Sequence, residues 1–165
     1  MISSSIRYIC IEHQGKQDLA KSIPIKLKAF QYNPKTKFLI IHDQDSHDCR
    51  ELKASLLQIC QQAGSTSVLI RIVCRELESW FLGDLMAIEK AYQLKPKTLS
   101  QFQNQRKYRD PDRLNSAKKE LKSLVNNNYY PGTHSKVIAP YLSLEQNRSH
   151  SFRVFLEGLK KYLEN

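Results

Sequence analysis

Two short apolar runs limit what this chain can become. Phe38, Leu39, Ile40 and Ile41 stand in a row, and SVLIRIVC (Ser67 to Cys74) repeats the pattern further on. Each suits a buried strand and is far too short to cross a membrane. Between them Leu52, Leu56, Ile59 and Ala63 recur at helical spacing. Asp48 and Glu51 stand ahead of that run as a capping box, and Gly64 ends it. The alternation extends both ways. IRYICI (Ile6 to Ile11) reads as an earlier strand, and Leu19, Ile23, Leu27 and Phe30 mark a helix that Pro24 should kink or restart. After the last strand, RELESWFLGDLMAIEKAYQL turns Leu77, Trp80, Phe81, Ile88 and Tyr92 inward, with a break expected at Gly83-Asp84. Strands and helices in such alternation predict a mostly parallel α/β sheet with right-handed crossovers.

The second half changes character. KPKTLSQFQNQRKYRDPDRL (Lys95 to Leu114) reads as a polar, basic connection. Asp110 is placed to cap a helix with Pro111 in its first turn and Leu114, Ala117, Leu121 and Leu124 on the buried side. Asn126 to Gly132 is a turn-rich loop, and SKVIAPYL a short helix stopped by Pro140. A final helix from Ser149 or Ser151 buries Phe152, Phe155, Leu156, Leu159 and Leu163. At 165 residues the expectation is one domain, an alternating core over residues 1–93 with a helical C-terminal extension over residues 94–165.

Hydrophobic residues make up 41% and charged residues 25%, which fits a globular chain rather than a disordered one. Cys10, Cys49, Cys60 and Cys74 show no CxxC spacing, so no zinc site is expected and a reduced cytoplasm is the simplest setting. No secretory signal and no membrane segment are read from the sequence. Lys and Arg number 26 against 16 acids, a formal charge of +10. Two readings stand: a polyanionic partner such as nucleic acid, or a solvated basic surface. Arg106, Lys107, Arg109 and Arg113 crowd together around Tyr108, a density that phosphate contacts need, with an aromatic able to stack on a base. Lys118, Lys119 and Lys122 continue along the next helix. Tyr129 and Tyr130 fit either a core or a binding role, whereas Trp80 lies on an apolar stripe and belongs to the core.

Against this basic background the acids are placed unusually. Glu12 follows the first expected strand, Asp43 and Asp45 the second, and Glu76 and Glu78 the third. In parallel α/β sheets the working groups sit beyond the carboxyl ends of the strands. Carboxylates gathered there repel one another unless a cation relieves the field. Mg²⁺ takes oxygen ligands, keeps several waters, and needs only one to three carboxylates. Asp43 and Asp45 are therefore candidate metal ligands. Glu76 or Glu78 adds a ligand or lies on a solvated first turn, and Asp48 reads as a helix cap. His42 and His47 read as polar loop residues.

The stretches GKQDL, DQDSHDCRELK, RELESWFLGD, YRDPDRL, SKVIAPYL and NRSHSF, in this order, resemble the bacterial family called domain of unknown function 4276. The resemblance implies a fold like the TOPRIM modules of topoisomerases, primases and overcoming-lysogeny-defect nucleases. It also implies Mg²⁺-dependent chemistry and a setting beside an ATPase in mobile-element defence loci. By it Asp43 and Asp45 match the Asp-x-Asp pair, and Glu76 and Glu78 the Glu-rich motif before the Trp. Lys136 and Arg148 fall on recurrent polar positions and join Arg106, Lys107, Arg109 and Arg113 as expected nucleic-acid-binding residues. Relatives carry an additional strand ending in Glu, the TOPRIM general acid/base, ahead of the strand leading into GKQDL. This chain starts near that second strand, and Glu12 is the residue placed to substitute.

The expected function is a Mg²⁺- or Mn²⁺-dependent nucleic-acid-processing nuclease component of a phage-defence system, catalytic through Asp43, Asp45, Glu76 and Glu78. Its expected partners are nucleic acid, an ATPase and a second copy of the chain. The runner-up is a non-catalytic binding or regulatory subunit of the same fold. A small-molecule phosphotransferase ranks lower, because no Gly-rich phosphate loop is present.

Overall fold

The computed structural model describes residues 6–65 and 67–164. Its centre is a parallel pair, β1 (Phe38–Asp43) and β2 (Val68–Val73), in register from Phe38 opposite Val68 to Asp43 opposite Val73. The crossover between them is α2 (Cys49–Gln62). Asp48 caps it, with its side chain accepting from the N–H groups of Arg50 (2.8 Å) and Glu51 (3.0 Å). Helix α1 (Lys16–Phe30) precedes β1 and runs through Pro24 as one helix, without the restart the sequence allowed for. Ile23 and Leu27 of α1, Leu56 and Cys60 of α2, and Ile40 and Ile70 of the strands form one core on one face of the sheet.

The stretch Ile6–Ile11 is not a strand. It is irregular, with Tyr8 87% and Ile9 77% exposed. The β-propensity of this segment is real, but a strand exists only through its partner, and it finds none among the described residues. The sheet is therefore smaller than the alternation predicts, with two strands among the described residues. Leu39 and Ile41 of β1 remain exposed on the face that α8 leaves open.

The largest core lies among the helices. Beyond β2 the chain forms α3 (Glu78–Leu82) and α4 (Leu85–Ala91), broken at Gly83 and Asp84 as expected. Asp84 caps α4 through Ala87 N–H (3.1 Å), and its other oxygen accepts from Ser143 N–H (2.8 Å). Phe81, Leu82, Leu85, Ile88, Leu121, Tyr129 and Ile138 pack together there, so the C-terminal half encloses its own core around α3 and α4. The expected helix from Asp110 is divided in two. Pro111–Arg113 is a single 3₁₀ turn, Leu114 is extended, and α6 (Ala117–Leu124) follows a short α5 (Arg106–Arg109). The division has a visible cause. The Asp112 carboxylate reaches the start of the last helix, accepting from Ser149 Oγ (2.6 Å) and Ser151 N–H (2.7 Å). Helix α7 (Pro131–Ile138) starts earlier than the sequence suggests, with Pro131 in its first turn; a 3₁₀ turn (Ala139–Tyr141) follows.

Helix α8 (His150–Glu164) packs against β2. Trp80 is core, as expected: its indole N–H donates to Ser151 Oγ (2.9 Å) and its ring stacks on Phe155 at 4.9 Å between centroids. The Asn147 side chain joins the same network, donating to the Trp80 carbonyl (2.8 Å) and accepting from Ser149 N–H (2.9 Å). Gly158 lets the Arg71 guanidinium lie against α8 at a distance no Cβ would permit.

Candidate carboxylate site

The two strands end level, and the loops after them are tied together. Gln44 N–H donates to the Val73 carbonyl (2.8 Å), and Asp45 N–H to the Arg75 carbonyl (2.9 Å). Arg75 N–H returns a bond to Gln44 Oε1 (3.2 Å). Asp45 and Arg75 both adopt positive φ (53° and 62°), so each loop turns sharply at the edge. This pairing brings Asp43 within electrostatic reach of Asp45, Glu76 and Glu78.

The electrostatic consequence falls on Asp43, which is half-buried. Burial, then the charges of Glu78 and Asp45, push its carboxyl up to about 7. The Leu77 backbone N–H opposes the shift and Glu76 adds to it. Glu78 is 5% exposed, and its Oε1 accepts from the hydroxyl of Tyr129 (2.9 Å). Glu76 Oε2 accepts from Lys118 N–H (2.9 Å), in the first turn of α6. Asp45 is exposed, with the Lys16 ammonium 4.0 Å away. Lys16 also lies 3.2 Å from His47 Nε2. His42 Nδ1 donates to the Asp43 carbonyl (2.6 Å), and the residue lies within β1 opposite Ile72 rather than in the loop expected from the sequence.

All four side chains offer oxygen, the donor a hard divalent ion prefers. Asp43 and Asp45 are the pair that would hold one, with waters completing its shell. Among the described residues no group of three or more His, Cys, Asp or Glu side chains converges as a ready cage. Glu12 forms an ion pair with Lys136 (3.3 Å).

The basic residues are more engaged than composition suggests. Lys107 pairs with Glu120 (2.5 Å), Arg113 with Asp110 (2.8 Å), and Arg148 with Asn104 Oδ1 (3.0 Å). Arg106 and Arg109 are exposed on α5. Tyr108 is not the stacking aromatic the sequence implied. It is 5% exposed, and its hydroxyl donates to Glu120 Oε1 (2.6 Å) because a phenol buried beside a carboxylate is satisfied there. Tyr129 and Tyr130 separate cleanly, the first fully buried and the second 65% exposed. Sequence reasoning missed the roles of Lys16, Tyr129 and the Lys118 backbone. Lys16 alone had a local signal, as the second residue of GKQDL.

Fold and site together define an α/β protein with a carboxylate cluster at the carboxyl edge of a parallel strand pair. The family model described as domain of unknown function DUF4276 matches residues 6–160, and the chain belongs to that family. Searches of curated proteins and of solved structures each gave no match.

Proposed function

We propose that the protein is a Mg²⁺- or Mn²⁺-dependent nucleic-acid-processing component of a bacterial defence system, TOPRIM-like in its sheet and acting on phosphodiester bonds. One observation carries the reading. Asp43 is raised to about 7, first by its own burial and then by repulsion from Glu78, Asp45 and Glu76, and a divalent cation would relieve that repulsion. When bound, the ion would polarise a phosphoryl oxygen and make a coordinated water more acidic. Asp43 and Asp45 would hold it, and Glu78 would add negative charge from a fixed buried position. Lys16, 4.0 Å from Asp45, would offer its ammonium to a phosphate at the cluster's rim. Arg106 and Arg109 would meet the backbone further along. An ATPase, which the family resemblance supplies, or a second copy of the chain would cover Leu39, Ile41 and the apolar Ile6–Ile11 segment.

The test is thermal unfolding with and without Mg²⁺ or Mn²⁺, paired with cleavage assays on single- and double-stranded DNA and RNA. The melting temperature of the native chain should rise with metal by mass action, and Asp43→Asn with Asp45→Asn should remove the rise. An equal response in both proteins would sink the proposal. A second reading, a binding or regulatory subunit, is favoured by Glu12. Its carboxylate is engaged by the Lys136 ammonium (3.3 Å) instead of standing unpaired as a general acid/base would. Metal-dependent stabilisation and nucleic-acid binding without cleavage would select that reading.

A further inference from the structure

We infer that Tyr129, backed by Ser135, is a positioning residue for the carboxylate cluster, fixing the buried carboxylate of Glu78 in the orientation that a divalent cation requires. The inference rests on the reading of that cluster as a cation site. Tyr129 comes from the loop between α6 and α7 and is fully buried, its ring within the large helical core. Its hydroxyl lies 2.9 Å from Glu78 Oε1 and 3.1 Å from Ser135 Oγ.

A phenol has one proton, and an ionised carboxylate only accepts, so the directions follow. Tyr129 donates to Glu78, and Ser135 donates to the Tyr129 oxygen. Each hydroxyl in this line sharpens the next. The ring is fully buried within the core that includes Phe81, Leu82, Leu85 and Ile138, so the position of the donor is set by packing rather than by a free rotor. With Oε1 occupied, the charge Glu78 directs toward Asp43 has a fixed location. Asp43 closes β1, and Asp45 and Glu76 lie on the loops that follow the two strands. Glu76 is held from the helical half by the Lys118 backbone N–H, and Glu78, the buried member, is held by a side chain, that of Tyr129. Groups that orient ligating or neighbouring carboxylates in this way commonly change metal affinity by about 10–100-fold when removed.

The experiment compares native chain, Tyr129→Phe and Ser135→Ala. The metal concentration giving half the maximal rise in melting temperature is measured with Mn²⁺ and with Mg²⁺, and far-UV circular dichroism confirms the fold. Tyr129→Phe keeps the ring and removes only the hydroxyl. It should shift the half-maximal metal concentration upward by about tenfold, and Ser135→Ala should shift it less in the same direction. A merely structural hydroxyl would lower the metal-free melting temperature and leave that concentration unchanged. An unchanged half-maximal concentration in Tyr129→Phe therefore overturns the inference while leaving the cation site standing. Should Tyr129→Phe fail to fold, Ser135→Ala decides, and an unchanged value there overturns the inference. No metal response in the native chain overturns both readings together.

Discussion

At the scale of single residues, Asp43 is the most informative group. Its carboxyl is raised from 3.8 to about 7, so between those values the folded chain holds a proton that the unfolded chain has released. Stability without metal should be greatest below the unfolded value and should decline as pH rises through 7. Solvent screening at this half-buried position leaves a loss on the order of 2 kcal/mol. Asp43→Asn should flatten the decline, as chemical denaturation across pH 4 to 8 with a chelator present would reveal; a wild-type slope in the variant would be the contrary result. Glu89 behaves oppositely. Burial alone would raise it, but the N–H groups of Ser100 (2.7 Å) and Leu99 (2.5 Å) outweigh that and hold it below its usual range. Its contribution is present above its unfolded value and fades as pH falls. Glu89→Gln should cost about 1–3 kcal/mol at neutral pH, read as a lower denaturation midpoint.

Individual elements show where geometry leaves no slack. Gly83 separates α3 from α4, and a Cβ there would stand 2.1 Å from Asn147 Oδ1 and 2.8 Å from the Ser149 backbone nitrogen. The Asn147 side chain and the Gly83 carbonyl, which accepts from Arg148 N–H (2.9 Å), hold the chain that leads into α8. Gly83→Ala should therefore destabilise by about 2 kcal/mol or more, because backbone as well as side chain must move. At Gly158 the obstruction is only the Arg71 side chain, so Gly158→Ala should cost less. Equal effects in thermal melts would refute this ordering. For α2, Asp48→Ala should cost about 1 kcal/mol and Asp48→Asn much less, since Asn also accepts from the first-turn N–H groups. Neither should alter a metal response.

For the whole molecule the question is how a charge of +10 is used. Lys107, Arg113, Lys136 and Arg148 each have an acidic or amide partner, whereas Arg106 and Arg109 present their guanidinium groups on exposed α5 positions. Nucleic-acid affinity should fall steeply with salt, and Arg106→Ala with Arg109→Ala should reduce the slope by about two ion equivalents. Lys107→Ala should instead loosen the Tyr108–Glu120 contact and lower stability. Fluorescence titrations at several salt concentrations would separate the two effects; a salt-independent affinity would remove the polyanion argument.

What the sequence determined by itself was local. The parallel strand pair, the Asp48 cap, the break at Gly83-Asp84 and the start of α8 follow from hydrophobic period, capping chemistry and glycine placement within a few residues. The acids at the strand ends were legible for the same reason, since Asp43 and Asp45 directly follow an apolar run and Glu76 and Glu78 directly follow another. Tertiary structure decided the partners. Tyr129 meets Glu78 across 51 positions, the Lys118 backbone meets Glu76 across 42, and Trp80 meets Ser151 across 71. Periodicity tells which way a side chain faces, but not which distant group it will face. The same limit explains the misread segments. Ile6–Ile11 has the residues of a strand but, among the described residues, no neighbour to make it one, and the helix expected from Asp110 gives way to the Asp112 bonds that anchor α8.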